Sequence, residues 1–480
     1  MLAAFVPGTI LQRQYTILTS AGLGGTTFGG VVIANLPNFA ASLSYTGNNV
    51  LLNIGADLGA GLGLAINQQN VANVLNNSLN SGGVLPPNLL AAFGLTGGSL
   101  AGALSQPSGE VAADSQLGAF HMMTQFLGLM LDPFVDGRLG GGSVTGHAMG
   151  FAPDEQSTLP PDIALAYAWI LTKATPKPNL DERWSTWGAA YGGANIANGN
   201  ATMGSSNVTT STYGFASGMD YHVTPNTVLG FALAGGSTGW GLGSGTGSGR
   251  SDAFQVGVYG VTRSGPAYLL SALAFANHWF TTNRVAVGDR LTANFDGQSY
   301  GARFEGAYRY PVLRTLGVTP YAALQVQDFH TPSYSESDLT GGGLGLGYNA
   351  MNATDVRTEL GGRFDHPMLV AGMPAILRAR VAWAHDFVGN PALGAAFQSL
   401  PGSNFTVNGA PIPHDSALTS VGAELFLAAN AVGEIRRRIR SRLADLRRHG
   451  HAAVHMVSVL PAAVCDGRRP SPCQRGITTQ

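Results

Sequence analysis

The 480-residue chain has only two cysteines, Cys465 and Cys473, both near its end. Its body is cysteine-free, which excludes a disulfide scaffold there and suits an exported protein that avoids stray disulfides, although many cytosolic proteins share the trait. Lysine is as scarce: Lys173 and Lys177 are the only two. Charged residues make up 11%, against about 25% in typical soluble domains. The formal net charge of −1 leaves no global field to steer the chain toward nucleic acid or acidic partners. No clean run of about 20 apolar residues occurs, so no transmembrane helix is expected. Glycine, by contrast, is abundant, with 67 residues. Low charge, high glycine and scattered hydrophobicity leave three classes: a β-solenoid, a transmembrane β-barrel or a low-complexity coat protein.

The chain is long enough for two or more domains, and its pattern changes along its length. Residues 10–60 read as short β-segments, "QYTILTS", "FGGVVIA", "FAASLSYTG" and "NNVLLNIG", separated by Gly and Asn turns. Stacked parallel β-helix rungs have this texture, and so has a small β-sandwich. Residues 61–182 differ. In "SGEVAADSQLGAFHMMTQFLGLMLDPF" (108–134), Ser108 is a candidate N-cap, apolar residues recur at helical spacing and Pro133 can stop the helix. A second helical stretch, "PDIALAYAWIL" (161–171), precedes the Pro- and Lys-containing linker "TKATPKPNLDE".

From Arg183 the period becomes two. In "SYGARFEGAYRY", Tyr300, Phe304 and Tyr308 fall on one face and Arg303 and Glu305 on the other. In "TDVRTELGGRFD", Val356 and Leu360 oppose Arg357, Glu359 and Arg363; in "AILRARVAWAHDF", Leu377, Val381 and Trp383 oppose Arg378 and Arg380; in "ALTSVGAELFLA", Val421 and Leu425 oppose Glu424. Successive strand side chains point to opposite faces, so each stretch has one apolar and one polar face. A soluble sandwich would scatter Lys, Glu and Thr on its wet face. Here the polar face sets Arg beside Glu or Asp, which suits a confined, partly dry lumen, because guanidinium is a planar bidentate donor. Aromatic residues near strand ends, among them Trp184, Trp187, Tyr191, Tyr310, Trp383 and Phe387, match the interface girdles of outer-membrane barrels. Ten strands are predicted, near 183–194, 210–222, 226–237, 251–262, 266–280, 291–310, 317–329, 353–366, 373–388 and 417–429. Short links ("HVTPNT", "TRSG") alternate with long ones ("GSTGWGLGSGTGSGR", 331–352, 389–416). The pattern predicts an all-β, antiparallel transmembrane β-barrel over 183–430, with Arg303, Glu305, Arg357, Glu359, Arg363, Arg378, Arg380 and Glu424 facing its lumen.

From residue 10 to 430 the chain also resembles the C-terminal part of a classical (type V) autotransporter. Residues 14–54 look like the last rungs of a passenger β-helix, and "LSQPSGEVAADSQLGAFHMMTQFLGLMLDPFVDGR" resembles the segment joining passenger to barrel, where the family shows an "LSGE" motif. "RWSTWGAAYGG", "GSGRSDAFQVGVYG", "TDVRTELGGRFD" and "RARVAWAHDF" look like parts of its twelve-stranded barrel domain. The resemblance implies an outer-membrane translocator in a Gram-negative bacterium that anchors and exports an N-terminal passenger to the cell surface. It implies outer-membrane lipid, the barrel assembly machinery and the chain's own passenger as partners, a monomer, and no nucleic acid. It also implies a helix threading the pore, placed by position at 161–182. The implied domains are 1–60, the end of the passenger β-helix; 61–182, a partly helical linker into the pore; 183–430, the barrel; and 431–480, an aberrant tail. A diffusion porin and a soluble adhesin-like β-protein remain as alternatives.

Motifs for chemistry are missing. No G-x-S-x-G, H-E-x-x-H or P-loop pattern occurs, and the cysteines lack metal-ligand spacing. No enzyme, cofactor or metal is therefore expected. The stretch "GLGSGTGSGR" reads as a flexible external loop. His121 reads as packing, His147, His385 and His414 are isolated from one another, and Asp386 reads as luminal pairing or turn structure.

Both ends depart from the family pattern. "MLAAFVPGTILQRQ" lacks the layout of a signal peptide, so the reading frame is expected to continue upstream of Met1. "EIRRRIRSRLADLRRHGHAAVHMV" (434–457) is an arginine run. Back-translated with permitted codons and shifted by one base, it allows "KFDGEFAHGSQTYAGTGTLRYTW", which looks like the family's two final strands and terminal aromatic residue. The expectation is a frameshift near codon 433, with ten strands in frame and an open sheet edge.

Overall fold

The computed structural model describes residues 2–3, 13–33, 36–131, 183–313, 316–370, 373–387, 389, 391–428, 431–442 and 453–459. Period-two segments dominate from residue 184 onward. They form strands β1 (Trp184–Ala197), β2 (Val208–Thr224), β3 (Thr227–Leu242), β4 (Gly247–Ser264), β5 (Ala267–Ala286) and β6 (Asp289–Tyr308). The series continues with β7 (Leu316–Thr331), β8 (Met351–Val370), β9 (Met373–Asp386), β10 (Asp415–Ala428), β11 (Ala431–Arg442) and β12 (Ala453–Val459). All ten predicted strands are present, most of them a few residues longer at their ends. Each strand pairs antiparallel with the next in sequence.

The sheet also closes. β12 pairs with β1 through His455↔Gly193 to Ser458↔Ala190. The open edge expected after ten strands is therefore corrected: residues 431–442 and 453–459, expected to be an out-of-frame tail, lie in the ring. Ladder hydrogen bonds use backbone N–H and C=O groups, which an arginine-rich segment offers as well as any other.

A second correction concerns the start of the chain. Strands Gln14–Thr19, Phe39–Tyr45 and Asn49–Ala56 form a three-stranded antiparallel sheet, with Asn49–Ala56 in the middle. Stacked β-helix rungs would pair in parallel, and among the described residues only the two-residue strands Leu2–Ala3 and Val32–Ile33 do so. The cause is local. Thr46–Asn48 link two strands by a turn in which the Thr46 hydroxyl accepts from the Asn49 amide at 2.9 Å, and so short a link permits only an antiparallel hairpin.

Between this sheet and the barrel lie α1 (Ile66–Asn80), α2 (Pro87–Ala91), α3 (Gly97–Ser105), α4 (Glu110–Ala113) and α5 (Ser115–Leu131). Ser108 does not cap a helix; its hydroxyl donates to the Ser105 carbonyl at 2.7 Å. Gly109 takes the N-cap position of α4 with φ 77°. A Cβ there would meet the Tyr348 hydroxyl at 2.5 Å, so both conformation and space favour glycine. The second predicted helix, 161–171, and the pore helix placed at 161–182 lie outside the described residues.

Helices α1–α4 pack on the long-loop end of the barrel. There the segments after β7 and β9 supply a four-stranded sheet of Tyr334–Ser335, Leu346–Tyr348, Ala392–Phe397 and Asn404–Asn408. Asparagines of α1 bind backbone on both sides. Asn80 accepts from the Ala56 amide and donates to its carbonyl (2.8 and 3.0 Å). Asn67 does the same for Asn408 (2.9 and 2.8 Å). One helix thus ties the N-terminal sheet to the barrel's loops, satisfying backbone groups that would otherwise be orphaned.

Candidate functional site: the lumen and its neck

Outward-facing strand residues are apolar and exposed, among them Phe231, Leu273, Phe304, Leu360 and Val381. Their neighbours face inward and are buried. Helix α5 lies on this inner side, packed against β2 to β7. At about 1.5 Å rise per residue, its 17 residues span roughly 25 Å. Met123, Phe126, Leu127 and Met130 are buried in one cluster with Tyr191, Ala216, Tyr259 and Ala276 of the wall. Small wall residues make the room: a Cβ on Gly257 would lie 2.5 Å from Met130 Sδ, and one on Gly301 2.8 Å from Met123 Sδ.

Glycine has a second use in this wall. Trp187 stands opposite Gly218, Tyr191 opposite Gly214, Tyr259 opposite Gly230 and Trp240 opposite Gly249. In each pair the ring covers the glycine, so that a Cβ would fall within 2.5 Å of it, the cross-strand aromatic rescue of glycine. This corrects two sequence assignments. Trp187 and Tyr191 are not interface aromatics but buried inner residues; Trp187 Nε1 donates to the Tyr259 hydroxyl at 2.7 Å, and the Tyr191 hydroxyl to Gln255 Oε1 at 3.0 Å. Parity carried the signal, since 184 is even and 187 and 191 are odd. Trp184, Tyr310, Trp383 and Phe387 are exposed. The predicted loop "GSTGWGLGSGTGSGR" is mostly strand, with a turn at 243–246 only, because Trp240 over Gly249 extends the pairing.

The opposite wall carries charge. Arg303 binds Glu359 through both terminal nitrogens (3.0 and 2.8 Å) and reaches Glu305 at 3.0 Å and Gln325 at 3.1 Å. Arg363 bonds Glu305 and the Tyr268 hydroxyl, and Arg380 bonds Glu359. Arg357 lies 3.4 Å from Glu359 and 3.7 Å from Asp386. The structure thus brings Arg303, Glu305, Arg357, Glu359, Arg363 and Arg380 into one network. Arg378 sits apart, half-buried on β9 and in register with Asp365. Glu424 is in register with Ile376 and Glu434; its side chain lies outside the described residues. Thr124 of α5 meets this wall, its hydroxyl accepting from Gln325 and Gln327 at 3.0 and 2.9 Å.

Sequence reasoning missed a third cluster, at the neck where cap meets barrel. Arg284 of β5 grips both oxygens of Glu336 at 2.7 Å; a sequence separation of 52 hid the pair. The Glu110 carboxylate accepts from the amide and hydroxyl of Ser206, and Asp114 Oδ1 from the Ala410 amide at 2.9 Å. Burial pushes the Glu110 carboxyl up to about 6. Burial, then the Glu110 charge, holds that of Asp114 well above the carboxylate range. Near the same end His385 and His414 stack at 6.1 Å, and His385 Nδ1 lies 2.9 Å from Asp415. His121 Nε2 lies 2.7 Å from Gln125 Nε2, and His147 lies outside the described residues.

A family model described as "Autotransporter beta-domain" matches residues 186–433, just over half of the 480 residues. An extracellular serine protease of Serratia marcescens is 26% identical over 252 residues, 52% of this chain and 23% of that protein; the chain spans under a quarter of that relative's length. Among solved structures, the translocator domain of autotransporter NalP from Neisseria meningitidis aligns with TM-score 0.46 and 12% identity, covering 57% of this chain and 86% of that one. The beta domain of the Bordetella autotransporter Brka aligns with TM-score 0.43 and 15% identity (58% and 100% covered), and the transport unit of AIDA-I from Escherichia coli with TM-score 0.41 and 14% identity (63% and 96%). The family match spans β1 to the start of β11, and on it the chain belongs to the autotransporter β-domain family.

Proposed function

We propose that this chain is the base of a surface-displayed passenger together with the barrel through which it left, in the state reached after export. The observation that supports this is α5. It occupies the lumen and runs directly into a cap seated on the long-loop end, and long loops are external in outer-membrane barrels. In this reading residues 1–60 are the foot of the passenger, 61–182 the cap and its link through the pore, and the barrel begins at 183. The Arg–Glu network of Arg303, Glu305, Arg357, Glu359, Arg363 and Arg380, with Arg378 and Glu424 on the same inward parity, lines the route. Trp184 and Tyr310 mark one membrane interface, and Trp383 and Phe387 the other. The chain performs no catalysis, inserts through the barrel assembly machinery and works as a monomer. A match to 23% of the Serratia protein does not extend its protease activity to this chain.

The test uses Val84, which is 87% exposed on the cap. With Cys465 and Cys473 changed to Ser, Val84→Cys should react with a membrane-impermeant maleimide on intact cells. Labelling that requires permeabilised outer membranes would overturn the reading.

A further inference from the structure

The neck sets two carboxyl groups one helical turn apart, Glu110 and Asp114, at the point where passenger base becomes pore helix. Glu110 is 7% exposed and Asp114 not at all. Each holds a different outer loop of the barrel by a backbone amide: Glu110 takes Ser206, between β1 and β2, and Asp114 takes Ala410, between β9 and β10. Asp114 Oδ2 is buried with no hydrogen-bond partner. An ionised carboxylate leaving an oxygen bare in such a place is disfavoured by desolvation, whereas a protonated one does not carry that charge.

No cation among the described residues bonds either carboxylate. Against α4 pack β4, β5, α5 and the strands Ala392–Phe397 and Asn404–Asn408. The last two carry no titratable residue. On β4, Arg250 and Asp252 pair with each other in solvent. On β5, Arg284 is committed to Glu336, and His278 bridges Ser251 and Ser299. His121 of α5 bonds Gln125. Beside Gly109, the Tyr348 hydroxyl donates to Glu336.

We infer that Glu110 and Asp114 form a proton-operated clamp, which fastens the cap to the barrel's outer loops in acid and loosens as the medium turns neutral. The sign follows from burial. Both carboxyls bind protons more readily in the folded neck than in a free chain, so their contribution is fully present below the ordinary carboxylate range. It is lost as pH rises through about 6, where Glu110 ionises and its charge bears on Asp114. The clamp couples the acidity outside the cell to how firmly the passenger's foot is held. It does not depend on what the passenger does.

The experiment is hydrogen exchange on the full chain in liposomes, at pH 5 and pH 7.5, corrected for the intrinsic rate. Protection of the Ser206 and Ala410 amides should fall by about tenfold or more between the two, a tenfold change corresponding to one unit of carboxyl shift. The double variant Glu110→Gln, Asp114→Asn should stay protected at both, because each amide keeps its acceptor and the charge is gone. Asp114→Asn alone should retain a reduced response, and it serves if the double variant fails to insert. Wild-type protection unchanged between pH 5 and pH 7.5, or variants that respond as strongly as wild type, would overturn the clamp.

Discussion

Two walls of one lumen are built from the same alternation and solve opposite problems. On β4 and β5 the inward positions hold Gly257, Ala272, Ala274 and Ala276, and α5 lays Met130 and its neighbours against them. On β6, β8 and β9 the inward positions hold Arg303, Glu305, Arg357, Glu359, Arg363 and Arg380, which bind chiefly one another. One wall gives the helix room, and its energetics are those of close packing. The other satisfies itself with paired charges, and beside it Gln325 and Gln327 of β7 offer the helix two amide donors. A lumen that seats a helix draws on both. An apolar ring throughout would seal onto any helix, while charges throughout would leave α5 nothing to pack against.

The largest effect is expected from splitting the charged wall. Glu359→Ala leaves Arg303, Arg357 and Arg380 around an empty position in a buried site. Breaking such a network from one side costs about 3–5 kcal/mol, because the remaining charges stay buried. Urea unfolding of the barrel from liposomes should show the loss. Combining Glu359→Ala with Arg303→Met should recover part of it, and a double variant worse than the sum of the singles would contradict the network.

Outside the barrel the comparison is between faces. Val381 points to lipid and is 56% exposed, while Arg380 next to it points inward. Val381→Arg should cost about 2–4 kcal/mol if it sits near mid-bilayer. Arg380→Leu should be milder, because Glu359 keeps Arg303. Folding into lipid that tolerates the first change and fails with the second would reverse the facing assignment.

The walls were unequally legible in the sequence. The charged one could be seen, because Arg and Glu at alternate positions, with Lys missing, leave a period-two mark that survives without structure. The apolar one could not. Gly257 and Gly301 are two glycines among 67, and nothing in their neighbours shows that Met130 and Met123 will lie on them. Glycine there looks like a turn, the same ambiguity that turned "GSTGWGLGSGTGSGR" into a loop. Trp187 and Tyr191 differ for another reason: a place near a strand end does not fix the facing of a side chain, which parity does. The arginine run hid two strands because strand pairing needs only backbone, which the side chains do not announce.

Enlarging a seat in the apolar wall should act on the helix more than on the barrel. Gly257→Leu puts a side chain where Met130 Sδ lies, and overpacking costs about 1–3 kcal/mol. The strands should still form and α5 should shift, raising ion conductance in planar bilayers. Met130→Ala in the same chain should restore the closed level. A single variant that unfolds the barrel while leaving the lumen blocked would show that the glycine serves the strand instead.

The smallest effect tests the tie that Thr124 makes between α5 and the polar wall. The Thr124 hydroxyl accepts from Gln325 Nε2 and Gln327 Nε2, and Thr124→Val keeps the shape while removing the acceptor. Net hydrogen bonds are worth about 0.5–1.5 kcal/mol each, but Gln325 also accepts from Arg303 and keeps that bond. The expected loss is therefore about 1–2 kcal/mol. It should fall on the seating of α5, read as faster hydrogen exchange along Ser115–Leu131 with the barrel's unfolding midpoint unchanged. If packing on the glycine wall alone holds the helix, exchange in Thr124→Val will match wild type, and the polar wall then serves the barrel and not its plug.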